Sequence, residues 1–321
     1  MLPRLSLDLI SANKRTIVRS DAGRHLARAS LRAAYGLSED LGARAAARLF
    51  TTPLRHQRPA REQDALAQGF RFTVPVRLRA PHWGGQTVNV AAWRWGQGPA
   101  VLLVHGWEGR GAQLGAFVEP LVEAGMSVIA FDAPGHGDTP GHRLFLSDMA
   151  DCIGQLAAQL GEVHAVIAHS FGGAATLLAH RTYGFDAARN VFLAPAPLAS
   201  EAIGHFARTL ELADRDVVTL RERLAVESGV HPQELDLASL VAQRDAGLLV
   251  LHDADDREVP ISQAHALVAA WPGARLLATR GLGHRRILRD AEVVRQAVAY
   301  ATWAAPVSGT DLPRALAPQA Y

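Results

Sequence analysis

The stretch AVIAHSFGGAAT, residues 165–176, sets Ser170 where an apolar run gives way to small residues at helical spacing, with His169 before it and Gly172 and Gly173 after it. A serine that only capped a helix would need no glycines crowding its far side. A serine hydroxyl is a weak nucleophile at neutral pH, and it becomes useful when a base stands within roughly 2.6–3.2 Å to take its proton. Histidine suits that task because its ordinary pKa of about 6.5 lets it accept and return a proton. A carboxylate behind the ring would hold the right tautomer and stabilise the imidazolium. Residues of these types close other apolar runs: His105-Gly106-Trp107-Glu108, Asp132-Ala133-Pro134-Gly135-His136-Gly137, His252-Asp253-Ala254-Asp255-Asp256, and Arg280-Gly281-Leu282-Gly283-His284.

Such endings form one site only if the runs are neighbouring strands. Residues 100–106, 126–132, 164–170, 190–196, 246–253 and 274–280 are short, continuous and apolar, and several are separated by segments with helical spacing that end in glycine. That rhythm predicts a mostly parallel sheet covered on both faces, with ligands beyond the carboxyl ends of the strands. Residues 70–79 and 87–96 alternate in character and read as an antiparallel strand pair. Trp93 and Trp95, two apart in the second of these, are expected to pack on the sheet. From 198 to 245 charged amphipathic helices replace strands, which reads as an inserted helical cap. Residues 1–68 are Ala- and Arg-rich and read as an N-terminal helical extension, 69–197 and 246–305 as the two parts of the α/β core, and 306–321 as a flexible tail.

Over about residues 70 to 305 the chain resembles the α/β-hydrolase superfamily, in its serine hydrolase branch. AHSFG differs from the G-x-S-x-G nucleophile elbow only by Ala168 in place of the first glycine, and the elbow's strained turn demands such small neighbours. The resemblance implies Ser170 as nucleophile. The order serine, acid, histidine continues in LHDADDREVP and GLGHRRIL, which aligns the acid with Asp256, leaves Asp255 as the alternative, and aligns the histidine with His284. It implies an oxyanion hole from the backbone N–H groups of Trp107 and Phe171, with Gly106 letting the backbone come close. DAPGHGDT resembles the turn that shapes the family's pocket floor. His105, Gly106 and His169 are candidate pocket residues, the Trp107 side chain one wall. The implied reaction is cleavage of a carboxylic ester or thioester through an acyl-enzyme, without cofactor. Serine at the elbow disfavours the dehalogenase and epoxide-hydrolase branches, whose nucleophile is a carboxylate. The rivals are another acyl-bond hydrolase or acyltransferase on the same residues, and a non-catalytic binder on the same fold.

Composition narrows the partners. With 33 Lys and Arg against 31 Asp and Glu, the net charge of +2 argues against a dedicated nucleic-acid binder. Arginines crowd the first fifty residues, which predicts a solvated helical face or, at most, weak peripheral membrane contact. A single cysteine, Cys152, allows no internal disulfide and is expected to be a buried structural thiol. The opening residues lack the pattern of a signal peptide, and no apolar run is long enough to span a bilayer, so a cytoplasmic protein is expected. No metal is expected, because His105, His169 and His252 fit hydrogen-bonded loop residues better than tetrahedral ligands. Phe206, Leu210, Leu212 and Leu224 are expected to be cap core, with an acyl-pocket lining as the alternative. Oligomeric state is not legible.

Overall fold

A computed structural model describes residues 21–196, 199–235, 240–241 and 246–303. Eight strands form one sheet: β1 (Phe70–Arg77), β2 (Thr87–Trp95), β3 (Ala100–Val104), β4 (Ser127–Phe131), β5 (Val163–His169), β6 (Arg189–Leu193), β7 (Gly247–Asp253) and β8 (Arg275–Thr279). Their spatial order is β1-β2-β4-β3-β5-β6-β7-β8. β1 and β2 pair antiparallel, with Val74 opposite Val90, and β2 pairs antiparallel with β4. The pairings from β4 through β3 to β8 are parallel.

Why the runs are continuous rather than alternating is visible in β3. Leu102 and Val104 point into a core on one face, while Val101 and Leu103 point into a core on the other. A strand buried on both sides has no polar face to alternate with. Trp93 and Trp95 pack in the second core, and the indole N–H of Trp95 donates to the Ala65 carbonyl at 2.9 Å. Cys152 is buried in a helix of the first core, and burial pushes its thiol up.

The helices, in chain order, are α1 (Asp21–Leu37), α2 (Glu39–Thr51), α3 (Ala60–Ala67), α4 (Val118–Glu123), α5 (Leu146–Leu160), α6 (Phe171–Tyr183), α7 (Ala199–Leu210), α8 (Asp214–Ser228), α9 (Ser262–Ala270), α10 (Gly283–Arg286) and α11 (Ala291–Ala301). A third core lies away from the sheet. Ala27, Leu31, Tyr35, Ala43, Ala46 and Ala47 of α1 and α2 bury themselves against Ile203, Leu210, Leu220 and Leu224 of α7 and α8. The N-terminal helices and the inserted helices therefore share one interior. Arginines that read as a solvated face partly turn inward: Arg28 donates to the Thr209 carbonyl at 2.9 Å and, with Arg32, pairs with Glu211.

Gly42 marks the closest approach of α1 and α2. A side-chain carbon there would lie 2.2 Å from the Tyr35 ring, whose hydroxyl is tied to the Asp216 carbonyl at 3.1 Å. Gly42→Ala is therefore expected to lower stability by about 1–3 kcal/mol through overpacking. A urea midpoint unchanged from wild type would show that the three-way contact does not constrain the ring.

Candidate active site

β5 ends at His169, and the chain turns at once into α6. Ser170 occupies that corner with φ +52° and ψ −121°, a strained region for a residue with a side chain. Its N–H donates to the Leu193 carbonyl at 2.9 Å, and its hydroxyl makes no capping bond to the helix. Two glycines nearby are needed for different reasons. A carbon on Gly172 would meet the His105 carbonyl at 2.6 Å and the Val104 carbonyl at 2.8 Å, so α6 can approach β3 only without one. A carbon on Gly106 would meet Ser170 Cβ and His169 Nδ1, both at 3.0 Å. Gly173 would make only ordinary contacts at 3.6 Å, so the expectation that both following glycines serve the turn holds at 172 alone.

The loops after β7 and β8 bring two side chains to this corner. His284 Nε2 lies 3.0 Å from Ser170 Oγ, and His284 Nδ1 lies 2.7 Å from Asp256 Oδ2. Asp256 Oδ1 accepts the N–H groups of Glu258 and Val259 at 2.8 and 3.0 Å. Burial pushes this carboxyl up, but the His284 hydrogen bond and the backbone donors outweigh it and hold it below the usual range. Asp255, the alternative acid, is exposed and accepts the Gly281 N–H at 3.0 Å instead. Asp253 accepts from Thr279 Oγ1 and from the N–H of Leu282, at 2.7 and 2.9 Å, bracing the loop that carries His284.

The lowered Asp256 value fixes a sign. Its contribution to stability is fully present above the ordinary carboxylate pKa of about 3.9 and is lost as pH falls through the folded-state value. Asp256→Asn should therefore cost stability at pH 6 and progressively less below about pH 4. Parallel losses in both proteins from pH 6 to pH 3, read as urea midpoints, would count against that assignment.

Three histidines in the notional metal set are committed to the backbone. His105 Nδ1 donates to the Gly106 carbonyl at 2.7 Å, while its Nε2 accepts the Ala133 N–H at 3.0 Å. His169 Nε2 donates to the His284 carbonyl at 3.0 Å, and His252 Nε2 donates to the Val259 carbonyl at 2.9 Å. Burial holds His105 down to about 4 and His169 to about 3, the latter with help from His284, so both stay neutral donors at ordinary pH. His136, within the DAPGHGDT turn, donates from Nδ1 to the Pro134 carbonyl and accepts the Glu108 N–H at Nε2, 3.1 Å away. It thereby pins the loop that contains Trp107, where Glu108 itself has φ +55°.

Ser170 and His284 open into a cavity of about 680 Å³. Its walls come from residues 56–65, 107–116, 258–259 and 284–289, together with His169 and Ser170. Among the described residues, none from α7 or α8 lines it, so the alternative in which Phe206, Leu210, Leu212 and Leu224 form an acyl pocket does not hold. Leu210 and Leu224 are buried in the third core, with Phe206 and Leu212 packed against it. His105 and Gly106 lie behind Ser170 rather than in the wall, because His105 spends both ring nitrogens on the backbone. Trp107 and His169 do line the cavity. The DAPGHGDT turn is not its floor: it wraps around buried Asp132, which accepts from Gly111, Asp138 and Arg58. Phe171 begins α6, so its N–H has no carbonyl partner within the helix, and its ring meets Trp107 edge-on at 5.7 Å. The α6 dipole adds partial positive charge at this end.

Glu62 and Arg110 went unnoticed in the sequence. They form a buried ion pair in the cavity wall, with Arg110 Nη2 3.0 Å from Glu62 Oε1. Forty-eight residues separate them, and no periodicity signals such a partnership.

Residues 98–247 match the family model described as serine aminopeptidase, S33. No curated protein matches the chain. Among solved structures, an esterase from Exiguobacterium antarcticum superposes with a TM-score of 0.55 at 14% identity, covering 72% of this chain and 100% of that one. A monoacylglycerol lipase from Paleococcus ferrophilus gives 0.53 at 21%, covering 66% and 98%. A bromoperoxidase from Bacillus anthracis gives 0.52 at 18%, covering 71% and 98%. At such identities, and with such differently titled proteins, what is shared is the fold. Among the described residues no helix is long and apolar enough to cross a membrane.

Proposed function

We propose that this chain, which has the α/β-hydrolase fold, is a serine hydrolase of that superfamily that cleaves a carboxylic ester or thioester through an acyl-enzyme. The observation that carries this reading is the relay of two hydrogen bonds, Ser170 Oγ to His284 Nε2 at 3.0 Å and His284 Nδ1 to Asp256 at 2.7 Å. In that relay Asp256 accepts the Nδ1–H, which leaves Nε2 as the base. Ser170 Oγ attacks the acyl carbon as His284 takes its proton, and His284 then gives that proton to the departing alcohol or thiol. Water, deprotonated by the same nitrogen, attacks the acyl-serine, and the proton returns to Ser170 Oγ as the acid leaves. The N–H groups of Trp107 and Phe171 would face the developing oxyanion, each such donor being worth about 3–4 kcal/mol. His169 acts one step back, holding the backbone of His284 rather than touching substrate.

Peptide or amide cleavage by the same serine has the description of the matched family in its favour. An aminopeptidase must also receive a cationic amine, and of the three carboxylates lining this cavity Glu62 and Glu258 are each held by an arginine, Arg110 and Arg285, while Glu108 accepts the Leu54 N–H. Ester cleavage is therefore the reading supported. Its test is hydrolysis of 4-nitrophenyl acetate, butyrate and octanoate alongside fluorophosphonate labelling read by intact mass. One adduct and a measurable rate are expected; neither would leave the non-catalytic reading.

A further inference from the structure

A pocket for a simple acyl chain is lined mainly by apolar side chains with a few placed polar groups. The cavity above Ser170 differs. Seven of its lining residues carry charge, four arginines and three glutamates, as many as are apolar. Its charges do not cancel. Four lining arginines stand against three lining carboxylates, a surplus of one positive charge with the histidines neutral: Glu62 is bound by buried Arg110, Glu258 by Arg285 at 3.2 Å, and Glu108, 3.6 Å from His56, stays uncompensated unless that ring is protonated. Two lining guanidinium groups, those of Arg61 and Arg289, have no carboxylate partner among the described residues.

Their placement gives the surplus a direction. Arg61 stands in the first turn of α3, beside Glu62, on the wall formed by the N-terminal segment. Arg289 stands five residues beyond His284, in the loop after α10. Both walls border the space that Ser170 and His284 open into. An unpaired arginine offers a forked donor that carboxylate or phosphate oxygens fit, and focusing in a cleft favours anions over neutral molecules. The charge of Glu62 is already compensated by Arg110, whose Nε and Nη2 each donate to one of its oxygens.

We infer that the substrate is an ester carrying a second, anionic group, which Arg61 and Arg289 bind while the acyl carbon lies at Ser170. The inference rests on the hydrolase reading for the position of the ester, but the anion site can be measured without turnover.

Two matched pairs test it and locate the charge: mono-4-nitrophenyl glutarate against 4-nitrophenyl pentanoate for an anion on the acyl side, and 4-acetoxybenzoate against phenyl acetate for one on the leaving group. In one pair the wild type is expected to favour the anionic ester at least about 10-fold in kcat/KM, mainly through KM, with the advantage shrinking as salt rises. Arg61→Gln/Arg289→Gln should cut that ratio at least about five-fold. Arg44→Gln/Arg215→Gln, which removes the same charge from exposed positions outside the cavity, should leave it unaltered. Independently, the Ser170→Ala protein is titrated calorimetrically with monomethyl glutarate and methyl pentanoate, and with benzoate and benzyl alcohol. In at least one set the anion is expected to bind more tightly, and to lose that advantage in the Arg61/Arg289 background. Equal kcat/KM within both pairs, or equal binding within both sets, overturns the inference. Anion binding without any hydrolysis or labelling would instead overturn the hydrolase reading and leave the anion site standing.

Discussion

Ser170→Ala is expected to lower kcat/KM for 4-nitrophenyl butyrate by at least about 10⁴-fold and to abolish fluorophosphonate labelling. The size follows from what the hydroxyl does. Without it, His284 has no bound nucleophile to activate, and the N–H groups at Trp107 and Phe171 stabilise only the slow attack of water. The fold should survive. Serine and alanine carry the same Cβ into the strained φ of +52°, and the hydroxyl caps no helix. The loss is one hydrogen bond to His284, so stability should stay within about 1 kcal/mol. Activity within ten-fold of wild type, or an adduct still formed on the variant, would move the nucleophile elsewhere and sink the mechanism.

Gly172→Ala should do the opposite, damaging the scaffold while leaving every reacting group in the chain. The added carbon would press on the carbonyl oxygens of Val104 and His105 at 2.8 and 2.6 Å, atoms of β3 and of the loop entry that cannot swing aside. α6 must shift, and with it Ser170 at its first turn. A cost of about 3 kcal/mol is expected, at the upper end for overpacking. A shift of about 1 Å at the serine would also cost about 100-fold in rate. Gly173→Ala, one residue on, meets Phe192 and Pro195 at 3.6 Å and should gain about 0.5–1 kcal/mol from helix propensity. The pair is checked by denaturant midpoints and butyrate turnover on both variants. Equal responses at 172 and 173 would mean that close contact with β3 does not govern the corner.

One wall of the cavity comes from the segment ahead of β1. Residues 54–58 have no regular structure, yet they are tied down: Arg55 donates to the carbonyls of Gly137 and Thr139, and Arg58 bridges Asp132 and Asp138. Leu54 donates its N–H to Glu108. The segment ahead of β1 is thus anchored to the β4 turn and to the loop of Trp107, which is how part of the N-terminal extension comes to face Ser170.

The chain's one-dimensional pattern was enough for the sheet and for the corner at Ser170. Doubly buried strands must be apolar throughout, and a strand that turns straight into a helix with a residue at positive φ needs a small neighbour such as Gly172. Both constraints act between residues adjacent in sequence, so they leave a mark there. The motif aligns the acid with Asp256 and leaves Asp255 beside it; which donor each carboxylate meets is visible only in the folded chain, Asp256 lying against His284 Nδ1 and Asp255 accepting the Gly281 N–H. The same holds for the substrate wall. Sequence leaves the apolar residues of the inserted helices open between core and acyl-pocket lining, with core expected; their apolar faces are spent against α1 and α2, and the cavity is walled by residues near 60, 110 and 287. Which of two amphipathic surfaces an apolar stripe will cover depends on long-range packing, and so does whether an arginine keeps or lacks a partner. Burial and charge pairing are decided between residues distant along the chain, and composition carries no record of them.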